Sequence, residues 1–359
     1  MPLTDYVTLG RSGLRVSPFC LGAMTFGDDW GWGSTPAESA AILGRYLGRG
    51  GNFIDTANVY TRGHAEAIIG EAIGSSRARR DRIVIATKFF GNLYAGDPNG
   101  GGAGRKSMMS ACEQSLRRLK TDYIDLYWMH CWDRHTPIDE TMRGLDDLVR
   151  SGKVRYIGFS DTPAWKVVEA QMLARQHGAT PVTAIQISYS LVERTVEGDL
   201  IPMAQEFGLG VTPWSPLAGG VLSGKYTRDS KTTADRGERV TSALTERNYT
   251  IIDEVIRIAR ELNTSPSAVA LAWVQTRPGV TSTIIGARHL DQLDQNLAAL
   301  DLKLDASHVE ALNRVSAPAL NFPAGFLQYA PSFMHAGATV NGEPSELPPF
   351  MPKTDAERY

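Results

Sequence analysis

An α/β chain closed into a (β/α)8 TIM barrel is the fold the sequence predicts, and three observations predict it. Short apolar runs end near Leu21, Ile54, Ala86, Met129, Phe159, Ile187, Val211 and Ile285, with helical patterns between them. Strands that alternate with helices in this way pair in parallel, because a parallel crossover needs a connection about as long as a helix. Eight such units in this length of chain fit a barrel somewhat above the ~250 residues typical of that fold. The competing architecture, an open doubly wound sheet, places G-x-G-x-x-G after its first strand, and "CLGAMTFG" does not match.

The elements follow in order. The opening "YVTLGRSGLRV" alternates on both sides of Arg11-Ser12-Gly13, as a hairpin does, so residues 1–17 are expected to form a small flap ahead of the barrel. The first helix begins at "STPAES": Thr35 caps it, Pro36 takes the first helical position, Glu38 closes a capping box, and Ala40, Leu43 and Leu47 share a face. A later helix repeats Met109, Cys112, Leu116 and Leu119 at spacings of three and four, and the next repeats Ile138, Met142, Leu145 and Val149. Two long stretches break the rhythm, at about 89 to 106 after the third strand and 215 to 245 after the seventh. Both follow strand C-termini, where barrel active sites are built, and they read as lids. One barrel domain then spans 1–317. From 316 onward seven prolines accompany Phe322, Phe326, Tyr329, Phe333 and Phe350. Those aromatics are too many for a solvated tail, so 318–359 is expected to pack near the barrel mouth or against a second chain.

Composition narrows the function. With 37 basic and 39 acidic residues the net charge is -2, which excludes the footprint of a nucleic-acid binder. No stretch is apolar and long enough to span a membrane, and the N-terminus has no apolar signal core. Three cysteines make no disulfide framework and no metal spacing, so the expectation is a metal-free cytoplasmic protein acting on a small molecule. "GDPNGGGAGRKS" lacks the ending of a phosphate loop and is rejected as one.

Polar residues at the C-terminal ends of barrel strands point toward a common mouth. Asp55, Lys88, His130, Ser160, Asp161 and Gln186 all stand at such ends, and Tyr60 follows Asp55 in "DTANVY". A free phenol with a pKa near ~10 is a poor acid unless a cation stabilises its phenolate. Lys88 can supply that cation, Asp55 can hold it charged, and His130 can orient a substrate carbonyl toward the phenol. No serine or cysteine nucleophile stands beside a base, so this is general-acid machinery for polarising a carbonyl, and hydride chemistry would need a cofactor.

These segments resemble the aldo-keto reductase superfamily over about residues 5 to 315. "NFIDTANVY" is similar to the segment with the family's catalytic Asp and Tyr, "IVIATKFF" to the one with its Lys, and "IDLYWMHCWD" to the one with its His. The resemblance therefore implies Asp55, Tyr60, Lys88 and His130 as catalytic residues of an oxidoreductase that reduces an aldehyde or ketone with NADPH, released as NADP+. It also implies a cofactor set: Ala23, Met24 and Asp55 near the first strands; Ser160, Asp161 and Gln186 at the nicotinamide carboxamide; Trp214 stacked on the ring. Ser215, Leu217, Gly219 and Lys225 follow in "TPWSPLAGGVLSGKY" at the pyrophosphate, and Gly286, Arg288, Gln292, Gln295 and Asn296 at the adenosine end. Arg288 would meet the ribose 2'-phosphate, a contact suited to a bidentate guanidinium.

Two departures from the family pattern stand out, Asp161 where Asn is commoner and Gln295 where Glu is usual. Phe26, Trp30, Phe89 and Trp132 are expected to line an apolar substrate pocket. Two other readings stay open: a reductase of a nucleotide-linked keto-sugar or enone, and an NADPH-binding regulatory subunit, since "TPWSPLAGGVLSGKY" also resembles the β subunits of potassium channels. A homo-oligomer is compatible with all three.

Overall fold

A strand inside a barrel carries two apolar sets, one toward the axis and one toward the surrounding helices. The computed structural model, which describes residues 2–73, 77–229 and 238–358, builds a barrel from eight such strands. They are β3 (Phe19–Gly22), β4 (Phe53–Asp55), β5 (Val84–Phe89), β6 (Ile124–Met129), β7 (Val154–Ser160), β8 (Val182–Ser188), β9 (Gly210–Trp214) and β10 (Thr283–Ile285). All neighbours pair in parallel, in the order β10-β3-β4-β5-β6-β7-β8-β9. The Thr281 amide donates to the Val211 carbonyl at 2.9 Å and brings the two ends of the sheet together.

The inward set, including Cys20, Phe53, Val84, Ala86, Leu126, Trp128, Ala184 and Ile284, fills the axis. The outward set packs against the helices in the larger clusters, with Ile54, Ile85 and Leu21 on one side and Tyr127, Met129, Ile157 and Ile185 on the other. Gly158 is a requirement of this packing. A Cβ there would lie 2.3 Å from the Trp128 indole, which occupies the axis beside it.

The antiparallel pair β1 (Val7–Thr8) and β2 (Arg15–Val16) is the expected hairpin, but it is a plug rather than a flap. Leu9 and Val16 are fully buried and join the axial cluster, so the hairpin closes the N-terminal end of the barrel. Gly10 turns there with φ +58, and a Cβ on it would meet the Gly210 amide nitrogen at 2.5 Å.

The helix Pro36–Gly48 has the full capping box between Thr35 and Glu38. Its buried face is Ser39, Ile42, Leu43 and Tyr46, whereas Ala40 is exposed and Leu47 only half-buried. Tyr46 carries the face because its hydroxyl reaches the Phe19 and Phe53 carbonyls, a polar handle that a purely apolar pattern overlooks. In the helix Arg105–Leu119 Met108 is buried in place of Met109, which is half-buried, while Cys112, Leu116 and Leu119 are buried as expected. In Ile138–Arg150, Ile138, Met142 and Leu145 are buried, with Leu148 completing the face in place of Val149.

The first long connection runs over 90–104, since Phe89 ends β5 and Arg105 begins a helix. It is pinned to the next loop, where the Asp133 carboxylate accepts from the Ala103 amide at 3.0 Å. The second connection contains the 3-10 turn Ala218–Ser223 and the short helix Glu238–Thr241, and its central part, 230–237, lies outside the described residues. The C-terminal tail meets the barrel where Leu320 and Ala324 approach Gly198, in the loop that follows β8 on the mouth side. Its aromatics are not buried there. Phe322 lies tilted against Phe326, and Phe326, Phe333 and Phe350 stack in turn, with centroids 6.3, 6.3 and 5.9 Å apart along the series; all four stay 54 to 85% exposed. Among the described residues no helix is long and apolar enough to cross a membrane.

Candidate active site

The two-residue period of the strands decides which side chains reach the mouth. On β5 Val84 and Ala86 face the axis, so Lys88 does too, and on β4 Phe53 does the same for Asp55. Lys88 is fully buried, and its ammonium donates to the Asp55 carboxylate, to the Thr56 carbonyl at 2.8 Å and to the Tyr60 hydroxyl at 3.2 Å. Tyr60 reaches this position through a tight turn after β4. The Thr56 and Asn58 amides donate to the Ala86 and Lys88 carbonyls, and Thr61 and Arg62 adopt left-handed φ of 45° and 59°. The Thr61 hydroxyl then ties the turn to the Phe26 carbonyl at 2.8 Å. His130 follows β6, and its ring meets the Tyr60 ring edge-on with centroids 5.9 Å apart.

Electrostatics refine the roles. Burial pushes the Lys88 ammonium toward losing its proton, and Asp55 and Tyr60 outweigh that, so its pKa moves up and it stays charged. Burial raises the Tyr60 phenol above its ordinary value; Lys88 opposes the rise, and Asp55 and Asp161 add to it. Lys88 therefore does not make the phenol a strong acid here. It limits a shift that desolvation would make larger. His130 is pushed down to about 3, first by burial and then by the Lys88 charge, so its imidazole is neutral near pH 7 and has one N–H to donate.

Residues 18–317 match the aldo/keto reductase family. The chain belongs to this family. It is 39% identical over 323 residues to the uncharacterized oxidoreductase YrpG of Bacillus subtilis, covering 87% of this chain and 95% of that one. It is 37% identical over 329 residues to the putative aryl-alcohol dehydrogenase AAD14 of Saccharomyces cerevisiae, covering 88% and 87%. With a norsolorinic acid reductase of Aspergillus flavus the identity is 34% over 329 residues, covering 89% and 83%. The chain is accordingly an NAD(P)-dependent oxidoreductase of a carbonyl-reducing family that generally uses NAD(P)H.

In this aldo/keto reductase the other expected site residues are placed as follows. Gln186 is buried, and its amide donates to the second Asp55 oxygen at 2.9 Å, a link that strand-end reasoning did not foresee. Asp55 is thus held from two sides. Ser160 is buried at the end of β7, and Ala23 donates its amide to the Asp55 carbonyl at 2.8 Å, with Met24 next in the turn. Asp161 accepts from the Trp214 indole N–H at 2.9 Å.

After β9 the Ser215 hydroxyl accepts from the Gly219 amide at 3.1 Å, and Gly219 and Gly220 turn with φ 69° and 104°. A Cβ on Gly220 would have nothing nearer than 4.0 Å, and one on Gly286 would have nothing within 4 Å. Open backbone of this kind, with half-buried Leu217, exposed Lys225 and half-buried Arg288 on the same side of the barrel, suits an extended ligand carrying phosphates. Gln292 accepts from the Arg288 amide at 2.9 Å, Asn296 donates to the Gly286 carbonyl at 3.1 Å, and Gln295 is exposed.

Two of the expected pocket residues belong to the core instead. Phe89 succeeds Lys88, so it points away from the axis and packs on Tyr127 with centroids 4.9 Å apart. Phe26 is fully buried among Ala23, Ala65 and their neighbours. Trp30 and Trp132 do lie in mouth-side loops, each with a second indole. Trp30 meets Trp32 at 5.5 Å and Trp132 meets Trp165 at 5.4 Å.

Proposed function

We propose that this protein reduces an aldehyde or ketone to an alcohol with NADPH, using Tyr60 as the proton donor. The contact that carries the reading is Lys88, a buried cation joined at once to the Asp55 carboxylate and the Tyr60 hydroxyl. NADPH, when bound, supplies the hydride. The side chains do the rest. Tyr60 gives its proton to the carbonyl oxygen as negative charge develops there, and Lys88 stabilises the phenolate left behind. Neutral His130 donates its N–H to the same oxygen and directs the carbonyl toward the phenol. Asp55, fixed by Lys88 and Gln186, keeps the ammonium in place.

Arg288 favours a cofactor with the extra 2'-phosphate over NADH, while Lys225 serves the pyrophosphate that both cofactors carry. The substrate is an aryl aldehyde or ketone. The paired indoles Trp30–Trp32 and Trp132–Trp165 offer flat apolar walls, and the relatives named as an aryl-alcohol dehydrogenase and a norsolorinic acid reductase support this class.

The test is loss of NADPH absorbance with a panel of aryl aldehydes, aryl ketones, aliphatic aldehydes and enones, run in parallel with NADH. The expected result is fastest turnover with an aryl carbonyl and NADPH. Absence of any substrate-dependent oxidation of NADPH overturns the reading.

A further inference from the structure

Asp161 joins three segments of the barrel mouth. Its amide donates to the Gln186 carbonyl on β8 at 3.2 Å, its carbonyl accepts from the Trp132 amide after β6 at 3.4 Å, and its carboxylate accepts from the Trp214 indole at the end of β9 at 2.9 Å. Its backbone is held in the left-handed region at φ 42°, which Asp tolerates better than most residues but which still needs support from its surroundings. An indole has a single N–H donor at its edge, so one directional bond to a carboxylate, together with the tether at Cβ, fixes the plane of the ring. A neutral amide could make the same bond. The carboxylate adds a charge, and that charge is felt in the site, because Asp161 is among the groups that raise the Tyr60 phenol.

We propose that Asp161 is a positioning residue that locks the Trp214 ring plane and, through its charge, weights the site toward the oxidised cofactor. The proposal rests on the reading above, in which Trp214 faces the nicotinamide. That ring is neutral when reduced and cationic when oxidised, so an anion fixed beside its platform stabilises the oxidised form more. An amide at this position would hold the indole without that bias.

The experiment uses the full chain with D161N, D161A and W214F, measuring Kd for NADPH and for NADP+ by titration. It adds near-ultraviolet circular dichroism without cofactor, with W214F identifying the band of this indole. D161N keeps an acceptor for the indole but removes the charge. It is expected to leave the band in place and to weaken NADP+ about three- to tenfold more than NADPH, the size of one partly screened charge. D161A is expected to reduce the band and to weaken both forms at least about threefold, as W214F does. An unchanged ratio of the two Kd values in D161N overturns the charge role, and an unchanged band in D161A overturns the positioning role. A wild-type protein that binds neither form overturns the cofactor reading itself, while the D161A band still decides the contact.

Discussion

The two ends of this barrel are built from the same strands and do opposite things. At the N-terminal end Leu9 and Val16 of the hairpin join the buried apolar cluster that includes Cys20, Phe53 and Leu126, and the axis is apolar and closed. At the C-terminal end the same inward positions carry Asp55, Lys88 and Gln186, buried and joined to one another. One end contributes stability by removing apolar surface from water. The other holds a desolvated charge pair, which gains little stability but is severely disrupted when one partner is removed. Chemistry is therefore confined to one end by the direction of the strands, and the other end is free to be core.

The sharpest way to break this contrast is Lys88→Met. It leaves Asp55 buried without its cation, and the expected loss is about 3 to 5 kcal/mol of stability, together with turnover. Denaturant titration and an NADPH assay read the two effects on the same sample. A variant that remains as stable as the wild type would show that the mouth is not organised by this pair. Tyr60→Phe separates chemistry from structure. Turnover is expected to fall about 10²- to 10⁴-fold, or roughly 3 to 5.5 kcal/mol of barrier, while the denaturation midpoint hardly moves. At the opposite end, Leu9→Ala removes a fully buried side chain from the plug. It is expected to cost about 2 to 5 kcal/mol in the same denaturant titration and to leave kcat near the wild-type value.

Much of this was legible because it repeats. Strand rhythm located each barrel strand to within a few residues, and the two-residue period was enough to send Lys88 inward. The same period, applied one residue further, would have sent Phe89 into the helical layer rather than a pocket. What the sequence does not carry is pairing across the mouth. Gln186 and Asp55 are 131 positions apart and Trp214 and Asp161 are 53 apart, and no spacing rule connects them. The helix faces failed by one position for a related reason. Tyr46 and Met108 are buried by contacts with other elements, and a local pattern weighs only its own turn. The sign of the Tyr60 shift was also beyond the sequence, because it depends on how far burial outweighs one adjacent cation.

The subtlest difference between the ends is in their response to pH. The plug has no titrating group among its buried residues Leu9 and Val16, whereas the mouth holds His130 with its pKa pushed down to about 3. In the unfolded chain a histidine titrates near ~6.5. Between that value and about 3 the unfolded chain binds a proton that the folded site refuses. Stability from this group is therefore fully present above ~6.5 and falls as pH drops through the window. His130→Gln should flatten that part of the curve, measured as the change in denaturation midpoint between pH 7 and pH 5, while Leu9→Ala shifts the whole curve without changing its slope. The kinetic counterpart has the same origin. Because His130 stays neutral and Tyr60 is raised, the rate of reduction is expected to hold level from mildly acidic to neutral pH and to fall only on the alkaline side as the phenol loses its proton. An acid limb near pH 6.5 that disappears in His130→Gln would mean that the imidazole is solvated in the working enzyme, and that the mouth is wetter than the plug by more than its geometry implies.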